Sequence, residues 1–188
     1  MAGILKVDQY QDFNGNNIMT SDGSGNVTVN AAALKNTPAF LANLSSTQSL
    51  SNNTDTTIIF DTEIIDTDNA YDTSTGLFTV PSGGAGKYFI CADITLTATQ
   101  SAAIYRSRIT KNGTSTTVAR GDIRPGDSIS YSSGFAENTP PCSAIVDLAV
   151  GDTLRCFSRI ESGNGTLRVS ASSSGTASQF FGYRLIGA

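Results

Sequence analysis

The chain has 188 residues, 39% of them apolar, only 15% charged, with a net charge of −4. That length allows one domain with a real core plus a short extra segment, and the composition excludes a disordered chain. The acidic balance gives no general pull on nucleic acid, so none is expected as a partner. Ser, Thr, Asn and Gly crowd the sequence around β-branched runs, which suits a β-sandwich better than a helical bundle. Nothing approaches membrane-spanning length, so no membrane insertion is expected. The opening MAGILKVDQYQD lacks a basic start and a long apolar core, which points to synthesis and assembly in a cytoplasm rather than to secretion.

Over residues 1–30, Ile4, Leu5, Val7, Tyr10, Phe13, Ile18, Val27 and Val29 punctuate polar residues. Asn14-Gly15-Asn16 and Asp22-Gly23-Ser24-Gly25 are strong turn signals. Two or three short strands are expected, with too few apolar residues to fold alone. Such a segment either packs on the rest of its own chain or docks onto a partner by strand addition. The run ILKVDQYQDFNGNNI resembles the start of many tail and appendage proteins of tailed phages, which often begin I-L-K-V-D-x-I-Q-D-x-x-G-N-N-I. Tyr10 and Phe13 stand where an aliphatic or small residue is more usual. The resemblance implies a virion-docking arm, with Ile4, Leu5, Val7, Tyr10, Phe13 and Ile18 as candidate docking residues. Residues 1–36 are read as arm and connector, in which Ala31-Ala32-Ala33-Leu34 is expected to make a single helical turn before Thr37-Pro38.

Residues 37–188 are read as the head. Pro38-Ala39-Phe40-Leu41-Ala42-Asn43-Leu44 opens it, and Thr56–Phe60 is an expected strand. Next come an acidic stretch (Asp61, Glu63, Asp66, Asp68, Asp72) and then YDTSTGLFTVPSGGAGKYF from Tyr71 to Phe89. In the latter, turn residues bound short aromatic and β-branched runs, the signal for strand, turn and strand. Further on lie Lys111-Asn112-Gly113, an expected strand at Ser128–Phe135, a Val150-Gly151-Asp152 turn between apolar strands, and Ser178-x-Phe180-x-Gly182-x-x-Leu185. These patterns, in this order, resemble the complement-type (C-one-q) globular head, a jelly roll shared with the tumour necrosis factor superfamily. The resemblance implies an all-β, antiparallel jelly-roll β-sandwich carrying a short β-rich N-terminal arm, and hairpins at Tyr71–Ile90 and around Val150-Gly151-Asp152.

The last strand alternates Phe181, Tyr183 and Leu185 on one face with Phe180, Gly182 and Arg184 on the other. Large aromatics on both faces fit a strand covered twice within one chain, or a strand with one face on the core and one on a neighbouring subunit. The second reading makes Phe180, Phe181, Tyr183 and Leu185 candidate interface residues, and the family resemblance implies that the assembly is a homotrimer.

The chain has no histidine, which excludes a histidine-activated nucleophile and histidine metal sites. Gly83-Gly84-Ala85-Gly86-Lys87 has no helix to follow and is read as a hairpin loop, not a phosphate loop. The acidic stretch 61–72 lacks the glycine and glutamate of an EF-hand, and a solvated loop is expected in place of a calcium site. Arg106, Arg108, Arg120 and Arg124 are read as charge balance at the surface, with a carboxylated glycan or a capsid neighbour as the sharper alternative. Cys91, Cys142 and Cys156 are expected to be free thiols. No cofactor and no catalytic residue is expected. The expected function is a non-enzymatic viral structural protein, a capsid decoration or cement knob on the virion surface. A tail fibre or receptor-binding tip that touches a host glycan or protein is the alternative.

Overall fold

Period-two alternation of apolar residues decides the architecture, because it gives each strand one face that must leave water. A computed structural model describes residues 7–30, 35–99, 102–125, 136–162, 165–171 and 178–186. Three strands lie in the arm: β1 (Gln9–Gln11), β2 (Asn17–Ser21) and β3 (Val27–Val29). The head begins with β4 (Ala39–Asn43), β5 (Gln48–Leu50), β6 (Thr56–Thr57), β7 (Thr62–Asp66), β8 (Tyr71–Asp72) and β9 (Leu77–Thr79). It continues with β10 (Gly86–Ile94), β11 (Leu96–Ala98), β12 (Ala102–Lys111), β13 (Thr116–Ile123) and β14 (Ala136–Asn138). The last four are β15 (Ser143–Leu148), β16 (Thr153–Ser162), β17 (Leu167–Val169) and β18 (Ser178–Arg184).

The head is an all-β sandwich with antiparallel pairing throughout. One layer is a five-stranded sheet in the order β15-β10-β18-β4-β7. Facing it is a sheet in the order β13-β12-β16-β9-β8, with β6 also paired to β16, and a smaller sheet follows the order β14-β11-β17-β5. The chain passes from β10 to β11 with only Thr95 between them, so one extended run serves two sheets.

Aromatic rings close the space between the layers. Phe40 of β4 stacks on Phe78 of β9 at 4.4 Å and on Tyr71 of β8 at 5.5 Å, and Tyr88 of β10 meets Phe78 edge-on at 5.8 Å. Phe40, Phe60, Phe78, Tyr88, Ile90, Ile94, Ile109, Leu154, Ile160 and Phe180 are all buried in this core. Gly182 lies beside it because a Cβ there would stand 3.1 Å from both the Phe40 ring and Ile90.

Two of the expected hairpins are instead crossings between layers. The 71–90 run does hold one tight hairpin, β8 with β9. Its second half differs: β9 pairs β16, whereas β10 pairs β15 and β18. The loop at Pro81–Ala85 therefore steps from one sheet to the other, with the Gly84 carbonyl accepting the Tyr88 hydroxyl at 2.5 Å. Likewise β15 pairs β10, while β16 lies in the opposite sheet, so Val150-Gly151-Asp152 also joins layers. The reason is burial: Phe78 and Tyr88 cover each other only from opposing sheets. By contrast, Lys111-Asn112-Gly113 turns a true hairpin between β12 and β13, with Asn112 and Gly113 at positive φ.

Those two turns, forty residues apart in sequence, clasp each other. Asp152 accepts from the Lys111 ammonium at 2.6 Å and from the Asn112 amide at 2.7 Å. The Asn112 side-chain oxygen in turn accepts the Thr153 N–H at 2.8 Å.

Other boundaries moved. The Thr56–Phe60 strand is cut to Thr56–Thr57, after which Ile58 and Phe60 plunge into the core. The acidic stretch carries β7 and β8. The expected helical turn at 31–34 and the expected strand at 128–135 lie outside the described residues.

Candidate functional site

The outward face of the five-stranded sheet is apolar where a solvated sheet would be polar. Cross-strand register sets its rows. One row runs Ile145, Phe89, Tyr183 and Ala39; the next runs Ser143, Cys91, Phe181, Leu41 and Ile65. Phe89 sits 5.7 Å from Tyr183 and 6.3 Å from Phe181, ring to ring. Ile145 is 66% exposed, Ile65 48% and Tyr183 37%. Beside Ile65, the β4–β7 pairing skips Ile64, which is exposed as well. At the end of the face, Lys87 holds Asp147 at 2.6 Å, both in solvent. A contiguous apolar patch of this kind makes the face a candidate interaction surface.

Of the residues expected at an interface, Phe181 and Tyr183 share this face. Leu185 lies just past the end of β18, half-buried, its N–H donating to the Lys87 carbonyl at 2.8 Å. Phe180 does not share it. It points the other way, fully buried against Phe40 at 4.8 Å, and so belongs to the chain's own core. Residues on other strands complete the face: Phe89, Ile145, Leu41 and Ile65. The alternation of Lys87, Phe89 and Cys91 against the buried Tyr88, Ile90 and Ala92 was the sequence signal for Phe89.

The arm holds a separate three-stranded meander, and none of its described residues belongs to the core cluster. Its two turns are built alike. Asp12 accepts the N–H groups of Asn14 and Asn16 and the Asn16 side-chain amide; Asp22 does the same with Ser24 and Asn26. These bonds hold both carboxyls below their ordinary range, with the Asn side chain the largest cause in each case. Val7, Tyr10 and Phe13 are exposed and Ile18 is half-exposed. Val7, Tyr10, Met19 and Val27 line an apolar concavity of about 170 Å³ across the meander. Ile4 and Leu5 lie outside the described residues.

Most carboxylates of the acidic stretch are taken by nearby protein donors, Asp61 by Ser45 and Asp68 by the Thr67 hydroxyl. Asp66 accepts the N–H groups of Asp68, Ala70 and Tyr71, and Asp72 accepts from Ser74 and Thr75. No group of three metal-ligating side chains converges among the described residues. Cys91, Cys142 and Cys156 form no disulfide, and burial raises the pKa of each thiol. Among the described residues no helix is long and apolar enough to cross a membrane.

The arginines singled out in the sequence divide. Arg106 and Arg120 both hold Asp122, Arg108 reaches Asp55 at 3.0 Å, and Arg124 is exposed.

A family model described as the C1q domain matches residues 39–185. No curated protein matches in sequence. Among solved structures, the globular domain of zebrafish complement 1qA protein aligns at 14% identity with a TM-score of 0.53, covering 79% of this chain and 97% of that one. Murine APRIL aligns at 13% identity and 0.54, covering 78% and 98%. The Eiger TNF of S. frugiperda aligns at 13% and 0.55, covering 80% and 93%. At such identities these likenesses speak to the fold alone.

Proposed function

The chain belongs to the C1q domain family, and from that premise we propose that it is a homotrimeric, non-enzymatic structural protein of a tailed-phage virion, a decoration knob held on the particle by its N-terminal arm. C1q and tumour-necrosis-factor-like domains commonly form homotrimers and are generally non-enzymatic. The observation that carries the trimer is the open aromatic face of Phe89, Phe181 and Tyr183. A second copy of the chain is the occupant we assign to it: the face is apolar, and its rim offers the paired charges Lys87 and Asp147 to a symmetry mate.

The arm supports the virion part of the reading. It begins with a run resembling phage appendage proteins, and it exposes Val7, Tyr10 and Phe13 with no core to bury them. An arm of this kind gains order by laying strands and apolar side chains on a partner. Antibody labelling of intact particles, viewed by electron microscopy, tests the placement. Many copies over the head support a decoration knob, a few at the tail replace it with the fibre reading, and none on the particle overturns both.

A further inference from the structure

We infer that the three arms of the homotrimer proposed for the head also join, each meander laying its face of Tyr10, Met19, Val27 and Val29 against the same face of its two sisters. This second contact rests on that homotrimer and adds to it.

Register divides the meander into two unlike faces. Tyr10 pairs with Met19, and Met19 with Val29, so the three lie in one row. Val27, opposite Ser21, lies two residues along β3 and on the same side. Gln9, Thr20 and Thr28 form the row between and point the other way, where the Gln11 amide donates to the Gln9 side chain at 3.1 Å. Tyr10 and Val27 are more than half exposed, and with Val7 and Met19 they line the concavity that crosses the apolar side. Asp8 is the charged residue beside it, at the corner where β1 begins.

A sheet with one apolar face has to bury that face against another element. The meander's strands pair only with one another, and none of its described residues enters the core of its own head. The place where the chain joins the head points to a sister arm as the cover. The Pro38 carbonyl accepts the Arg184 N–H at 3.1 Å and Ala39 pairs with Tyr183, so the arm is tied to the rim of the self-association face. Residues 30–38 span at most about 30 Å when fully extended. Three arms are thereby held near one another, and a short tether sets an effective concentration on the order of millimolar. Turned toward a threefold axis, three such faces cover one another and leave Gln9, Thr20 and Thr28 to water. Phe13, fully exposed in the β1–β2 turn, and the outer edges of β1 and β3 stay open to the particle.

The test is thiol cross-linking of the full-length chain with a short bismaleimide, read as linked dimer on a denaturing gel. Met19→Cys places a thiol on the apolar face and Thr28→Cys places one on the polar face; the parent, with its three native cysteines, sets the background. Met19→Cys should link well above the parent and keep its yield on about tenfold dilution, as a tethered contact does. Thr28→Cys should stay at background. Val29→Cys takes the place of Met19→Cys if melting shows the latter to be misfolded. Light scattering on the same samples separates two failures. A monomeric parent ends the homotrimer and the arm contact with it. A trimer in which Met19→Cys and Val29→Cys link no better than Thr28→Cys overturns the arm contact alone. So does a yield that falls with dilution, or linking of Met19→Cys only to a virion protein when particles are added.

Discussion

Phe180 and Phe181 are neighbours in sequence and face opposite worlds. Phe180 is sealed edge-on against Phe40, while Phe181 lies 6.3 Å from Phe89 on the open side of the same sheet. Substitutions on the two faces should therefore fail differently. Phe180→Ala should cost about 3–5 kcal/mol of stability, a large part of what a domain has. Tyr183→Lys should leave the fold in place and split the assembly, because burying an unpaired charge between subunits costs several kcal/mol. Denaturant melts and sedimentation velocity on both variants read this directly. A Tyr183→Lys protein that stays assembled contradicts the interface.

Gly121 on β13 is fixed by what lies over it. A Cβ there would stand 2.1 Å from the Pro141 carbonyl oxygen and 2.8 Å from its carbon, both backbone atoms that cannot rotate away. Gly121→Ala should destabilise by about 1–3 kcal/mol, or prevent folding. Gly151→Ala, where the added Cβ meets nothing within 4 Å, tests steric contact against backbone conformation, since Gly151 has φ of 83°. A Gly121→Ala protein as stable as the parent would refute the close approach.

The clasp between the two turns predicts an acid limb. The Lys111 ammonium, then the Asn112 amide and the Ala149 N–H, hold the Asp152 carboxyl at about 2 against an ordinary 3.8. A carboxyl depressed in the folded state contributes stability that is present above the unfolded pKa and lost as pH falls through the folded one. Melting temperature should thus drop between pH 4 and pH 2. Asp152→Asn should flatten that limb, in part, because Asp72 is held at about 2 by Ser74 and Thr75. An unchanged limb in the variant removes Asp152 as a cause.

The arm should be separable from the head. A chain starting at Asn36 is expected to fold and assemble, since no described arm residue enters the core, and to fail to join virions. In the free full-length protein, protease should cut the arm first, because few buried contacts protect it. Incorporation of the truncated chain at full level would contradict docking by the arm. Failure of the truncated chain to fold would put the arm in the head.

Much of the head could be read from sequence because its turns carry residues with one physical purpose. Asn112-Gly113 supplies the positive φ that a tight hairpin needs, and the two-residue period of Tyr88, Ile90, Ala92 and Ile94 shows a half-buried strand. Which strands pair was less legible. A short loop between apolar runs reads the same whether it turns back within a sheet or steps across to the next, and only the meeting of Phe78 with Tyr88 decides. The open apolar face was half legible for a similar reason. Alternation separated Phe180 from Phe181 but could not say which face held the core, nor that Ile145 and Ile65 would come alongside from distant strands.

The account turns on self-association through the open face of β10 and β18, and the molar mass of the full chain in dilute buffer tests it most directly. Light scattering at micromolar concentration should give about three times the 19.6 kDa chain mass, and about one chain mass for Tyr183→Lys. A parent protein that scatters as a monomer would contradict the account.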